Sequence, residues 1–216
     1  KGSSTFSAIT PMGRQHENDR EATAADLKWL ADPAEEPEPF GDGGTKMAWN
    51  TFNVVSIYPN GNPVMSDVNQ RWVGDCCACA VIASMAYLYP RFVKHIIKDN
   101  MDKTYTVTMY DPKGKQISVG VGGDYFIGNS GDLGALGGRN KEVTWATILE
   151  KAMIKWNQIY QGSSNVGGIG TEYVSAIFTG DGESVGFGAN ALIAEDLQRA
   201  VEAVSYTHLR AHETVL

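Results

Sequence analysis

From residue 145 to residue 160 the apolar side chains recur on a helical period. Trp145, Ile148, Leu149, Ala152, Trp156, Ile159 and Tyr160 fall at i, i+3, i+4, i+7, i+11, i+14 and i+15, which predicts a single-faced helix that Thr144 can cap. The stretch Cys76 to Tyr89 is different: nearly every position is apolar or small, the pattern of a helix enclosed by protein. Pro90 interrupts it, and Arg91 to Lys98 adds a helical turn or two. Thr104 to Tyr110 and Gln116 to Val121 read as two strands joined by the turn sequence Asp111-Pro112-Lys113-Gly114. Met47 to Tyr58 looks extended and Pro59-Asn60-Gly61-Asn62-Pro63 is a turn. The Gly-rich stretch 120–140 is expected as a flexible loop. A second Gly-rich loop follows Tyr160, and a helix is predicted from Ala191 to Val204. Apart from a short helix over Glu21 to Leu30, residues 1–45 lack apolar periodicity. Their run from Asp32 to Pro39 is acidic and Pro-rich, so this part is expected as a flexible leader.

Composition narrows the picture. With 216 residues, 43% hydrophobic and 20% charged, the chain can bury one substantial domain. A net charge of -7 gives it no electrostatic reason to seek nucleic acid or an anionic membrane. No apolar run approaches the ~20 residues of a membrane span. All three cysteines, Cys76, Cys77 and Cys79, lie within four positions, so they cannot staple distant parts of a fold. Thiols of this kind suit a reducing compartment, which favours a cytoplasmic setting.

The chemistry concentrates at Gln70-Arg71-Trp72-Val73-Gly74-Asp75-Cys76. Cys76 begins an apolar helix, where unsatisfied backbone amides and the macrodipole favour a thiolate, the nucleophilic form. Gly74 permits a sharp turn, and Asp75 can cap the helix. The Cys76 amide and the Gln70 side-chain amide would supply two donors for an oxyanion. The plainer reading is that free cysteines are mostly inert packing residues, and Cys77 and Cys79 are read so. A zinc site is disfavoured because no second Cys or His pair stands at suitable spacing.

Gln70, Gly74, Asp75 and Cys76 resemble the active-site motif of the calpain family of papain-like cysteine peptidases, Gln-Gly-x-x-Gly-Asp-Cys-Trp. Ala80-Val81-Ile82-Ala83-Ser84-Met85 is similar to that family's following helix. Trp145-Ala146-Thr147-Ile148-Leu149-Glu150-Lys151-Ala152 resembles its Trp-x-x-Leu-Leu-Glu-Lys-Ala helix, and Gly167-Gly168, Glu172 and Phe178-Thr179-Gly180 its cleft segment. The match spans about residues 65–204. It implies an α+β, papain-like fold, mainly the helical Cys-bearing lobe with a β-hairpin and an incomplete second lobe. It also implies Cys76 as nucleophile, Gln70 as oxyanion donor, and Gly167, Gly168 and Gly74 as backbone facing an extended peptide or protein substrate. Cys77 and Arg71 depart from the motif, where the family has Trp and Gly. Asp67 lies near an acidic calcium-binding position of the family, but the partner position holds Val143, with Glu142 adjacent. No calcium, other metal or cofactor is expected.

The resemblance divides the chain into a leader (1–45), a calpain-like catalytic domain (46–204) and a tail (205–216) whose abrupt change of composition marks it as non-native. A cysteine peptidase also needs a histidine, in this superfamily ~130 to 150 residues beyond the cysteine. His16 is in the leader and His95 follows Cys76 too closely. His208 and His212 lack the family's Gly-His-Ala context. The 216-residue polypeptide is therefore expected not to hydrolyse peptides itself. The competing reading is a noncatalytic module that binds protein partners through the same cleft. Nucleotide binding is disfavoured, because neither G-x-G-x-x-G nor a Walker A pattern occurs.

Overall fold

The computed structural model describes residues 10–11, 20–42, 45–128, 130–180 and 183–184. The helix expected over 191–204, the tail, His16, His208 and His212 lie outside them. In chain order the elements are β1 (Thr10–Pro11), α1 (Ala24–Ala31), β2 (Gly41–Asp42), β3 (Thr45–Lys46), β4 (Ala48–Thr51) and a 3-10 turn (Met65–Asp67). Then come α2 (Cys76–Leu88), α3 (Pro90–Ile96), β5 (Ile97–Asp99), β6 (Tyr105–Tyr110), β7 (Gln116–Val121), β8 (Asp124–Ile127), α4 (Trp145–Tyr160), α5 (Thr171–Thr179) and β9 (Glu183–Ser184). The fold is α+β: helices around small antiparallel sheets, β5-β6-β7 the largest, with β1-β9, β2-β3 and β4-β8 as pairs. Among the described residues no single helix is long and apolar enough to cross a membrane.

The β6–β7 hairpin forms as its sequence requires. Tyr105 pairs with Val121 and Tyr110 with Gln116. Asp111 Oδ1 accepts the Lys113 and Lys115 amides at 2.9 and 2.8 Å, and Gly114 takes φ +79°, a value that favours glycine.

The two main helices exchange the environments their patterns predict. α4 is not single-faced: Thr147, Glu150, Lys151, Lys155 and Asn157 are buried along with its apolar side, because each of these side chains makes at least one hydrogen bond inside the protein. Lys151 Nζ donates to Glu36 Oε1 at 2.8 Å and to the Asp124 carbonyl, and Lys155 Nζ donates to the Asp32 and Gly120 carbonyls at 2.8 Å each. α2, expected to be enclosed, buries only Ala78, Ile82, Met85 and Ala86 and leaves Cys76, Ala80, Ser84, Tyr87 and Leu88 exposed.

The leader is likewise corrected over residues 20–42. Thr23 and Asp26 form a capping box at the start of α1, Leu30 is fully buried, and α1 packs on α4 and β7. The Pro-rich run that follows is tied down by Lys155 and Lys151 through Asp32 and Glu36. Residues 120–138 are also not a flexible cleft-side loop where described. They contain β8, which pairs with β4, and Leu133 to Gly138 are buried.

Candidate active site

The buried Gly-rich segment is the platform under the residues that lead to Cys76. The Asn69 amide donates to the Gly137 carbonyl at 3.0 Å, and the Trp72 amide to the Gly134 carbonyl at 3.0 Å. Arg71 Nη2 donates to the Gly138 carbonyl at 2.6 Å. Glycine is needed here for close approach: a Cβ on Gly137 would stand 2.6 Å from the Glu142 carbonyl oxygen. Composition signals a Gly-rich stretch, but only the fold assigns it this supporting role.

The platform delivers the chain to α2, whose first residue is Cys76, exposed to solvent. No side chain caps that first turn, so its amides face outward with the positive end of the helix dipole. Asp75 holds the N-cap position but does not cap. Its carboxyl turns inward, is fully buried, and accepts the Cys79 thiol on Oδ1 at 3.6 Å. Gln70 is exposed, and its Nε2 donates to the Val73 carbonyl at 2.9 Å. That bond fixes the amide against the turn before Cys76 and occupies one of its two N–H donors.

Gly74 and Gly168 are brought together, the Gly168 amide donating to the Gly74 carbonyl at 3.1 Å. No heavy atom lies within 4 Å of where a Cβ would stand on either glycine, so the surface above both is open. Gly167 is braced by its own loop, its amide donating to Asn165 Oδ1 at 2.8 Å. Gly167 and Gly168 also line a cavity of about 330 Å³ with Asn157, Ser163 and Tyr173, a cavity that Cys76 and Gln70 do not line. The Gly168–Gly74 bond thus joins the loop of Gly167 and Gly168 to the turn that leads into Cys76, and both glycines of that loop also line the neighbouring cavity.

His95, the one histidine among the described residues, is exposed in the last turn of α3. The 13-residue α2, about 20 Å long at 1.5 Å per residue, separates that helix from Cys76. The Asp67 carboxyl is fully engaged, accepting from Asn60 Nδ2 at 2.9 Å, Trp145 Nε1 at 2.7 Å and the Val64 amide at 3.2 Å. Among the described residues no group of three or more His, Cys, Asp and Glu is placed to hold a metal ion.

The sequence reading missed the group behind Cys76. Glu150 from α4 is buried beside Asp75, its Oε2 accepting the Leu136 amide at 2.9 Å. Among the described residues Glu150 Oε1 and Asp75 Oδ2 are buried with no donor other than a proton the two carboxyls share between them. Burial pushes the Asp75 carboxyl up to about 6 and the Glu150 carboxyl well above its usual range, with the Asp75 charge adding to the second effect. A glutamate beside the apolar position Leu149 was the available signal, but its partner is 75 positions away in sequence. The chain matches no family model, and no curated protein matches it significantly.

Proposed function

We propose that this chain is the cysteine-bearing part of a calpain-like, papain-like cysteine endopeptidase, with Cys76 as the nucleophile. One observation carries the reading: Cys76 stands exposed on the uncapped first turn of a 13-residue helix. The Cys76 amide together with the second N–H of Gln70 would receive the oxyanion formed when sulfur attacks a peptide carbonyl. The open backbone at Gly74 and Gly168 offers a floor for an extended peptide. The uncovered face of α2 supports the same view. Ala80 and Tyr87 continue from Cys76 along one side with Ser84 and Leu88 at its flank, a largely apolar exposed surface suited to a second lobe. That lobe would carry the histidine that takes the thiol proton and returns it to the leaving amine, and the group that orients it.

The test compares two electrophiles that carry the same reactive group, a peptidyl chloromethyl ketone and chloroacetone, on the 216-residue polypeptide. The peptidyl reagent is expected to alkylate Cys76 at least about tenfold faster, with the advantage lost in a Gly74→Val variant. Equal rates would remove the substrate cleft and with it the peptidase reading.

A further inference from the structure

Cys76 and Cys79 are three residues apart in the first turn of α2, a spacing that places both on one face of the helix, whereas Cys77 faces elsewhere. Cys76 is exposed and Cys79 half-buried. The Cys79 thiol donates to Asp75 Oδ1 at 3.6 Å, and the buried Asp75 carboxyl is backed by that of Glu150, with no other donor on its Oδ2 among the described residues. An outer thiol on a helix N-terminus, an inner thiol one turn behind it and a buried carboxyl against the inner thiol together make a dithiol able to close on itself.

We propose that Cys76 and Cys79 form a reversible intramolecular disulfide under peroxide, with Asp75 receiving the proton of the inner thiol, so that oxidation caps the reactive sulfur. The regulatory consequence rests on the peptidase reading; the disulfide does not.

The geometry asks for a modest closure. Side chains three apart on a helix have Cβ atoms about 5–6 Å apart, and a disulfide wants about 3.5–4.5 Å. The first turn can tighten because its leading amides hold no intrahelical bonds and no side-chain cap. Burial, followed by the charges of Asp75 and Glu150, pushes the Cys79 thiol up, which keeps it protonated and directs peroxide to Cys76 first.

Both steps balance. The Cys76 thiolate attacks one oxygen of hydrogen peroxide and the O–O bond breaks. Sulfur is oxidised to the sulfenic acid, and the departing hydroxide takes up the original thiol proton as water. Cys79 then passes its proton to Asp75 and its thiolate attacks the Cys76 sulfur. The S–O bond breaks, and the displaced hydroxide takes the proton from Asp75 and leaves as the second water. Two thiols have lost two electrons to one peroxide, and a reducing dithiol returns them.

The experiment treats the 216-residue polypeptide with a few equivalents of hydrogen peroxide, blocks remaining thiols with N-ethylmaleimide and maps the peptides by mass. A Cys76–Cys79 link within one chain is expected, unchanged in Cys77→Ala and reversed by dithiothreitol. In Cys79→Ser, dimedone should trap a sulfenic acid on Cys76, and Asp75→Asn should slow closure by about tenfold or more. The wild-type map decides the matter even where a variant folds poorly. A Cys76–Cys77 link, a link between chains, or sulfinic acid on Cys76 beside a maleimide-labelled Cys79 overturns the proposal and leaves the reactive thiol standing. A Cys76 inert to peroxide overturns both the disulfide and the activated nucleophile.

Discussion

At the residue scale the decisive feature is Asp75, which occupies a capping position and declines to cap. Its carboxyl lies instead in the protein beside that of Glu150, and among the described residues each keeps one buried oxygen that only the other carboxyl's proton can satisfy. Removing a carboxylate from water penalises the charged form, so both groups hold their protons to higher pH than they would in an unfolded chain. The consequence for stability has a definite sign. Below ~4, the ordinary carboxyl value, both groups are protonated folded or unfolded and the penalty is absent. As the pH rises the unfolded chain ionises first, and stability falls until Asp75 itself ionises at about 6. Glu150 extends the loss to higher pH. Glu150→Gln keeps an acceptor for the Leu136 amide and gains a donor for Asp75. It should flatten the pH dependence and raise stability at pH ~8 by on the order of 1–3 kcal/mol. Urea unfolding at several pH values measures this, and an unchanged slope in the variant would show that the pair carries no burial penalty.

At the element scale, α2 and α4 each sit in the surroundings their sequences argue against. Periodicity reports which residues are apolar, and burial depends on what the rest of the chain brings to a helix. The polar side of α4 is buried because Lys151 and Lys155 meet a carboxylate and backbone carbonyls inside the protein. Lys151 also lies 4.8 Å from the Trp49 ring centre and Lys155 4.9 Å from that of Trp29, close enough for cation–π attraction. Burial lowers the Lys155 ammonium to about 8, showing how far its head group has left water. Lys155→Ala would take one donor from each of the Asp32 and Gly120 carbonyls and open a void. A loss of about 2–4 kcal/mol in urea unfolding is expected. A loss below ~0.5 kcal/mol would mean water replaces the ammonium without penalty.

At the scale of the whole molecule, residues 20–42 belong to the folded body. α1 lies on α4 and β7, and the segment after it covers the two buried lysines. Acidic, Pro-rich composition is the usual mark of a linker, but here one of its carboxylates, Glu36, is the counter-charge of Lys151. Deleting residues 1–42 should therefore leave a chain without a cooperative urea transition, since it uncovers Leu30's site and two lysines at once. A deletion variant that unfolds as cooperatively as the full chain would return the segment to the status of a leader.

The sequence by itself determined the parts whose physics is local. The turn at Asp111 to Gly114 carries its own hydrogen bonds, the period over 145–160 makes a helix, and Cys76 opens one because apolar residues begin there. It also marked Gln70, Gly74 and Gly168 as candidates for one site. What only the tertiary structure decided is how distant segments complete one another: the Gly-rich stretch as a platform, Glu150 behind Asp75, the leader over the lysines, and which helix lies inside. Periodicity and capping act over a few residues, whereas burial and the pairing of buried charge depend on groups that meet only when the chain has folded.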